Sequence, residues 1–245
     1  MPANLSVNVN KIALLRNSRG GPIPDLVHFA RLAIEAGAQG ITVHPREDAR
    51  HITLDDVLAL AEMPEIRDGR VEFNIEGNIR PELVRLTRRI VPTQFTVVPA
   101  TPGELTSDRG WRAYDDQEQL AALVAALKGS VRISVFTDAD PRSVALACEA
   151  GVDAVEFYTG AYAAAFDVPA ERDRHLTALA GAAALARSHG LRIHAGHDLD
   201  TLNLPALLSA IRPDELSIGH RLVSEAIEHG LAATVRRYLD VLATA

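Results

Sequence analysis

The feature that most constrains this chain is a rhythm: eight short runs rich in β-branched and other apolar residues, separated by stretches of helical periodicity. The runs cover residues 5–8, 40–44, 71–75, 94–98, 132–136, 154–157, 192–195 and 215–218. Between them, Asp25 caps a helical stretch through residue 36, and Thr53 opens another through residue 63, with Asp55 and Asp56 in its first turn. Pro81 suits the first turn of a third. Later helices are predicted over residues 116–127, 141–150, 171–189, 201–210 and 220–228, with a last one over 232–242. Two segments echo each other, Glu35-Ala36-Gly37-Ala38-Gln39-Gly40-Ile41 and Glu149-Ala150-Gly151-Val152-Asp153-Ala154-Val155. In each, a helix ends at glycine, a favoured residue for the left-handed C-cap, and a strand follows.

Such alternation implies parallel strands joined by right-handed crossovers. Eight units within 245 residues predict an α/β fold, a closed (β/α)8 TIM barrel with additional helical segments, with residues 1–245 as a single catalytic domain. A doubly wound open sheet is the runner-up, but the first strand–helix turn lacks the G-x-G-x-x-G fingerprint. Apolar residues make up 47% of the chain and aromatics only 4%, so Ala, Val, Leu and Ile carry the core. That favours helices on a buried sheet whose strands read as aliphatic runs.

A formal charge of −7 argues against generic binding of nucleic acid or acidic membranes, so an anionic substrate has to be met by local cations. The only cysteine, Cys148, leaves no disulfide framework and no cysteine-based zinc site, and reads as a small buried core residue. No uninterrupted apolar segment has the length of a membrane span, and residues 1–6 lack the pattern of a signal peptide; the expected compartment is the cytoplasm.

In barrels the chemistry sits at the C-terminal ends of the strands. The first run ends in Asn8-Val9-Asn10-Lys11 and leads into Arg16-Asn17-Ser18-Arg19-Gly20-Gly21. The second ends in His44-Pro45-Arg46-Glu47-Asp48, followed by Arg50 and His51. The third closes on Glu76 and the sixth on Glu156, while His197 and Asp198 follow the seventh and Gly219 and His220 the eighth. Each has an ordinary explanation when taken singly. Arg46 and Asp48 read as a solvated ion pair, the loop histidines as exposed, and Glu76 and Glu156 as helix caps. Those explanations do not predict the gathering of histidines and glutamates at one rim, opposite loops of mostly Ala, Gly and Arg. Nor do they explain carboxylates at the ends of buried strands, where desolvation needs compensation.

Two features suit phosphate. One is the Arg16/Arg19 loop with its Gly-Gly pair, together with Arg46 and His51. The other is the pair of turns after the seventh and eighth strands, with Gly196, Gly219 and His220 near a helix start. The turn-rich stretch 99–110 follows the fourth strand and is expected to form a lid or binding loop.

These motifs resemble the pyridoxine 5′-phosphate synthase family. The resemblance rests on Val7-Asn8-Val9-Asn10-Lys11-Ile12-Ala13-Leu14-Leu15-Arg16-Asn17-Ser18-Arg19-Gly20, on His44-Pro45-Arg46-Glu47-Asp48-Ala49-Arg50-His51-Ile52, and on Phe73-Asn74-Ile75-Glu76. Glu104-Leu105-Thr106, Glu156-Phe157-Tyr158-Thr159-Gly160, Ala195-Gly196-His197 and Ile218-Gly219-His220 continue it to the last strand. It implies condensation of 1-deoxy-D-xylulose 5-phosphate with 3-amino-2-oxopropyl phosphate to give pyridoxine 5′-phosphate, phosphate and water. It further implies His44 and Glu76 as proton acceptors, His197 as proton donor and Glu156 as a transition-state-stabilising carboxylate. Asn8, Asn10, Lys11, Arg19, Arg46, His51, Thr106, Asp198, Gly219 and His220 fall on its substrate-binding positions, and a homo-oligomer, an octamer of paired barrels, is implied as well.

Two departures stand out: many members have Asp-His where this chain has Asn10-Lys11, and Gly where it has Asp198. Asn10 cannot act as a base, whereas Lys11 can serve as a donor. The implied steps are successive proton transfers around imine and enol intermediates, which require neither metal nor redox cofactor. Two other readings remain open on the residues: a metal-dependent barrel hydrolase, which the rim histidines suggest, and an inert phosphometabolite-binding barrel, which the Asn10-Lys11 change suggests.

Overall fold

A computed structural model of the chain describes residues 2–99, 110–111 and 117–244. Eight strands run parallel in sequence order: β1 (Asn4–Asn8), β2 (Gly40–Val43), β3 (Glu72–Gly77), β4 (Gln94–Val97), β5 (Arg132–Thr137), β6 (Ala154–Tyr158), β7 (Arg192–Gly196) and β8 (Glu215–Ile218). β8 returns to β1, with Ser6 opposite Ser217 and Val7 opposite Ile218, and closes the barrel. The predicted (β/α)8 architecture is therefore the observed one.

The crossovers are helical. The first half carries α1 (Asn10–Asn17), α2 (Leu26–Glu35), α3 (Leu54–Ala61), α4 (Pro64–Arg67) and α5 (Pro81–Ile90). The second carries α6 (Gln117–Leu127), α7 (Pro141–Ala150), α8 (Gly160–Ala164), α9 (Pro169–Ser188), α10 (Leu204–Ile211), α11 (His220–His229) and α12 (Leu231–Thr244). Local chemistry sets several boundaries. The Asp25 carboxylate accepts the Val27 and His28 N–H groups at the start of α2. Thr53 and Asp56 form a reciprocal capping box on α3. Asp140 and Pro141 start α7, which stops at Gly151 with φ +77°.

Three short helices, α1, α4 and α8, were not expected. α1 buries only Ile12 and Ala13, too little to give its eight residues a visible apolar stripe. Its presence corrects the expected Arg16 phosphate loop. Arg16 lies in the helix and its guanidinium grips Asp56 at 2.5 and 2.8 Å. Cys148 is likewise only half-buried rather than a core residue.

One apolar core runs from Ala3 to Leu242 between the barrel and its helices. Leu5, Val7, Ile41, Ile75, Phe95 and Ile193 are fully buried within it. Each such side chain contributes roughly 1.5–3 kcal/mol of burial free energy. The alternate strand positions depart from the expected aliphatic runs. Ser6 and Thr42 share a hydrogen bond at 2.7 Å, Thr96 donates to Asn74 at 3.0 Å, and Gln94 donates to Thr96 at 3.2 Å. Nearer the N-terminal ends, Arg132 donates to Glu72 at 2.9 Å. Both faces of the sheet are buried, but the inner one carries polar side chains, some of which pair with one another, while Ser134 Oγ and both His194 ring nitrogens have no hydrogen-bond partner among the described residues. Branched aliphatic layers are the commoner filling of such barrels.

Candidate active site

The C-terminal ends of the strands open into a cavity of about 570 Å³. Asn8 at the end of β1 and Asn10 and Lys11 at the start of α1 line one side, and His44, Arg46 and His51 from β2 and its loop the next. Glu76 on β3, Glu156 on β6, His197 and Asp198 after β7, and Gly219 and His220 at the β8–α11 junction complete the set foreseen from the sequence. Arg19 is exposed on the turn after α1 and does not line the cavity, and Thr106 lies outside the described residues, as does most of the 99–110 stretch. The chain re-enters at the rim where Trp111 N–H donates to the Phe136 carbonyl.

The β1–α1 corner positions its neighbours. Asn8 Oδ1 accepts the Asn10 N–H at 3.0 Å, and Asn10 Oδ1 accepts the His44 N–H at 2.9 Å. Asn8 Nδ2 donates to Glu76 at 3.4 Å, and Ser217 Oγ lies 3.5 Å from the other Glu76 oxygen. These long contacts solvate the carboxylate weakly, so burial pushes Glu76 up to about 7. Glu156 is 3% exposed. Burial, then the Glu76 and Glu215 carboxyls, push it well above the carboxylate range. Its Oε2 has no hydrogen-bond partner among the described residues. The space it occupies exists because residue 196 is glycine: a Cβ there would lie 2.5 Å from Glu156 Oε1.

The two histidines on the β2 side are neutral. Burial, helped by His51 and Arg46, lowers His44 to about 3, and burial with Arg46 and Lys11 lowers His51 to about 4. His51 Nδ1 accepts the Ile52 N–H at 2.9 Å, so its neutral ring carries the proton on Nε2. The His51 carbonyl is held in turn by Asn17 Nδ2 at 2.7 Å and Arg16 Nη2 at 3.4 Å. Asp48 pairs with Arg50 at 2.5 Å and with Arg46 at 3.6 Å.

Across the cavity, the His197 ring sits against Phe136 and Tyr158, each at 5.3 Å between centroids. His197 and Asp198 both adopt positive φ, +87° and +55°, a conformation that costs on the order of 1–3 kcal/mol per non-glycine residue. Gly219 precedes α11 with no side-chain cap, leaving first-turn N–H groups at the cavity wall.

Sequence reasoning missed Phe136, Val98 and Leu14 as lining residues, and read Arg50 and Ser217 at the rim without giving them a role in the site. Ser217 was within reach, since it alternates with the inward Glu215 on β8. Phe136 was not, because an aromatic at a strand end reads as core. Among the described residues, no group of three or more His, Cys, Asp or Glu is arranged to hold a metal ion.

A closed parallel barrel whose C-terminal mouth gathers buried carboxyls, imidazoles and cationic side chains defines a class: an enzyme on a (β/α)8 scaffold. The solved phosphoribosyl anthranilate isomerase of Thermotoga maritima has this fold, with a TM-score of 0.59 at 10% identity, covering 99% of this chain and 100% of that one. The family model for the pyridoxal phosphate biosynthesis protein PdxJ matches residues 5–244. A pyridoxine 5′-phosphate synthase of Xanthomonas axonopodis pv. citri (strain 306) is 50% identical over 252 residues, covering 99% of this chain and 97% of that protein. One from Brucella anthropi is 45% identical over 245 residues, covering 99% and 100%. The chain belongs to the PdxJ family and is an enzyme of vitamin B6 biosynthesis.

Proposed function

We propose that this protein condenses 1-deoxy-D-xylulose 5-phosphate with 3-amino-2-oxopropyl phosphate, giving pyridoxine 5′-phosphate, phosphate and water. The observation that carries the reading is convergence: His44, Glu76, Glu156 and His197 come from four strand ends and line one cavity.

Glu76, held near 7, is charged or neutral with little bias at neutral pH, the condition that suits a base which must later release its proton. His44 is neutral, and a bound substrate phosphate that offsets the nearby Arg46 and Arg80 charges raises its low proton affinity toward that of an acceptor. His197 faces the same space from the opposite wall and acts as the donor. Burial favours the protonated form of Glu156; a neutral amine or imine nitrogen of the substrate beside it takes that proton, and the cation so formed is stabilised by the carboxylate left behind. Lys11, Arg46 and the His51 Nε2–H receive phosphate on one side, and the first turn of α11 with Gly219 and His220 on the other. Asn8, Asn10 and Asp198 contact the substrates between these ends. Arg19 and Thr106 are assigned to substrate binding by family resemblance alone.

We further propose that residues 1–245 act as one catalytic domain, without a cofactor, in the cytoplasm and as a homo-octamer. Among the described residues no helix is long and apolar enough to cross a membrane. Leu15 and Ile227 on α1 and α11 are large, apolar and exposed, as residues of a subunit contact would be. The decisive test is to mix purified protein with both substrates and measure pyridoxine 5′-phosphate and released phosphate. Stoichiometric formation of both is expected; a folded protein that makes neither would sink the reading.

A further inference from the structure

We propose that Thr159 is a positioning residue for His197, its buried hydroxyl holding the turn that aims the imidazole into the cavity. Thr159 follows β6 and is fully buried. Its backbone N–H donates to the Gly196 carbonyl at 2.9 Å. Its hydroxyl lies 2.6 Å from both the Gly196 and the His197 carbonyls, so a single proton is shared between them. Those two carbonyls flank the place where β7 leaves the sheet and enters two successive residues of positive φ, His197 and Asp198. Neither is glycine, so the turn needs an external hold, and Thr159 contacts it on both sides.

The same short segment walls the ring. Tyr158, one residue earlier, sits against the His197 imidazole at 5.3 Å, and Phe136 on the neighbouring strand does so at the same distance. Gly160, one residue later, keeps Tyr158 in place, because a Cβ at position 160 would lie 2.3 Å from the Tyr158 hydroxyl. Residues 158–160 thus cradle the backbone and the ring of His197 together. Thr159 does not line the cavity; it acts through its neighbour.

The inference rests on the proposed donor role of His197, and a double-mutant cycle separates the two. Turnover and KM are measured with the two proposed substrates for Thr159→Val, Thr159→Ser, His197→Asn and the Thr159→Val/His197→Asn pair, with folding checked by circular dichroism. Thr159→Val keeps the shape and removes the hydroxyl; kcat is expected to fall about 100-fold, the scale of a misplaced catalytic group, while KM changes little. Thr159→Ser restores most of the loss. In the His197→Asn background Thr159→Val costs nothing further, because residues that act as a unit are not additive. Undiminished kcat in Thr159→Val, or the same fractional loss with and without His197, overturns the positioning role. Wild-type turnover in His197→Asn overturns the donor assignment itself, and the positioning role with it. If Thr159→Val does not fold, Thr159→Ala takes its place in the cycle with the same outcomes.

Discussion

On the cavity floor, burial holds Glu76 near 7 and pushes Glu156 well above the ordinary carboxylate range, so both carboxyls resist charging. They titrate as a pair, each raising the cost of charging the other. Replacing Glu76 by Gln is expected to lower kcat by about 10²–10⁴, the usual worth of a general base, with a much smaller change in substrate affinity. Equal loss in both would count against its role as base. The acid limb of kcat/KM, expected near pH 7, should vanish in the same variant. Stability follows with a definite sign. The folded state holds the Glu76 proton more tightly than its ordinary value of 4.5 allows. That contribution is complete below 4.5 and is lost as pH rises through about 7, at no more than about 1.4 kcal/mol per pH unit. Thermal unfolding should therefore find Glu76→Gln gaining on the parent chain between pH 5 and 8. A constant difference across that range would contradict the burial argument.

At the scale of elements, α1 and α3 cooperate to hold the His51 loop. Asp56 caps α3 through Thr53 and accepts Arg16 of α1, and Arg16 and Asn17 in turn grip the His51 carbonyl. Thr53→Ala loses one cap, worth about 1 kcal/mol. Asp56→Ala loses the cap and strands a largely buried guanidinium, so about 3 kcal/mol is expected. Urea midpoints with unchanged slope would measure both. If the two variants are equally destabilised, the ion pair contributes nothing beyond the cap. Asp56→Ala should also raise the KM for a phosphorylated substrate more than it lowers kcat if the His51 loop receives phosphate as proposed, because the proposed acids and bases stay in place.

For the whole molecule, closure of β1 on β8 is what gathers residues almost the full chain length apart, Asn8 and Gly219, into contact: a Cβ at 219 would come within 3.0 Å of Asn8. Assembly is the remaining level. Sedimentation at micromolar concentration is expected to show a species eight times the 26.4 kDa chain mass. Ile227→Asp, at a side chain 83% exposed in the single chain, should weaken that assembly if α11 contributes to the contact. A monomer at every concentration would remove the octamer from the proposal.

The alternation of strands and helices was legible because period 2 and period 3.6 are written directly in residue order, and the caps Asp25, Thr53 and Gly151 act on their own neighbours. Most candidate site residues were legible for a related reason: in a parallel barrel every strand's C-terminal end reaches the same mouth, so location along the chain becomes location in space. The sequence could not show that Arg16 is committed to Asp56, because that ion pair spans two helices. Nor could it show Phe136 beside His197, the shared Thr159 hydroxyl, or the polar lining inside the barrel. Each of these depends on which side chains meet across strands. The burial that raises Glu76 and Glu156 and lowers His44 likewise has no sequence signature, since it is a property of the surrounding volume. Local order was determined by the chain itself; proton affinities and contacts between distant strands were decided only when the barrel closed.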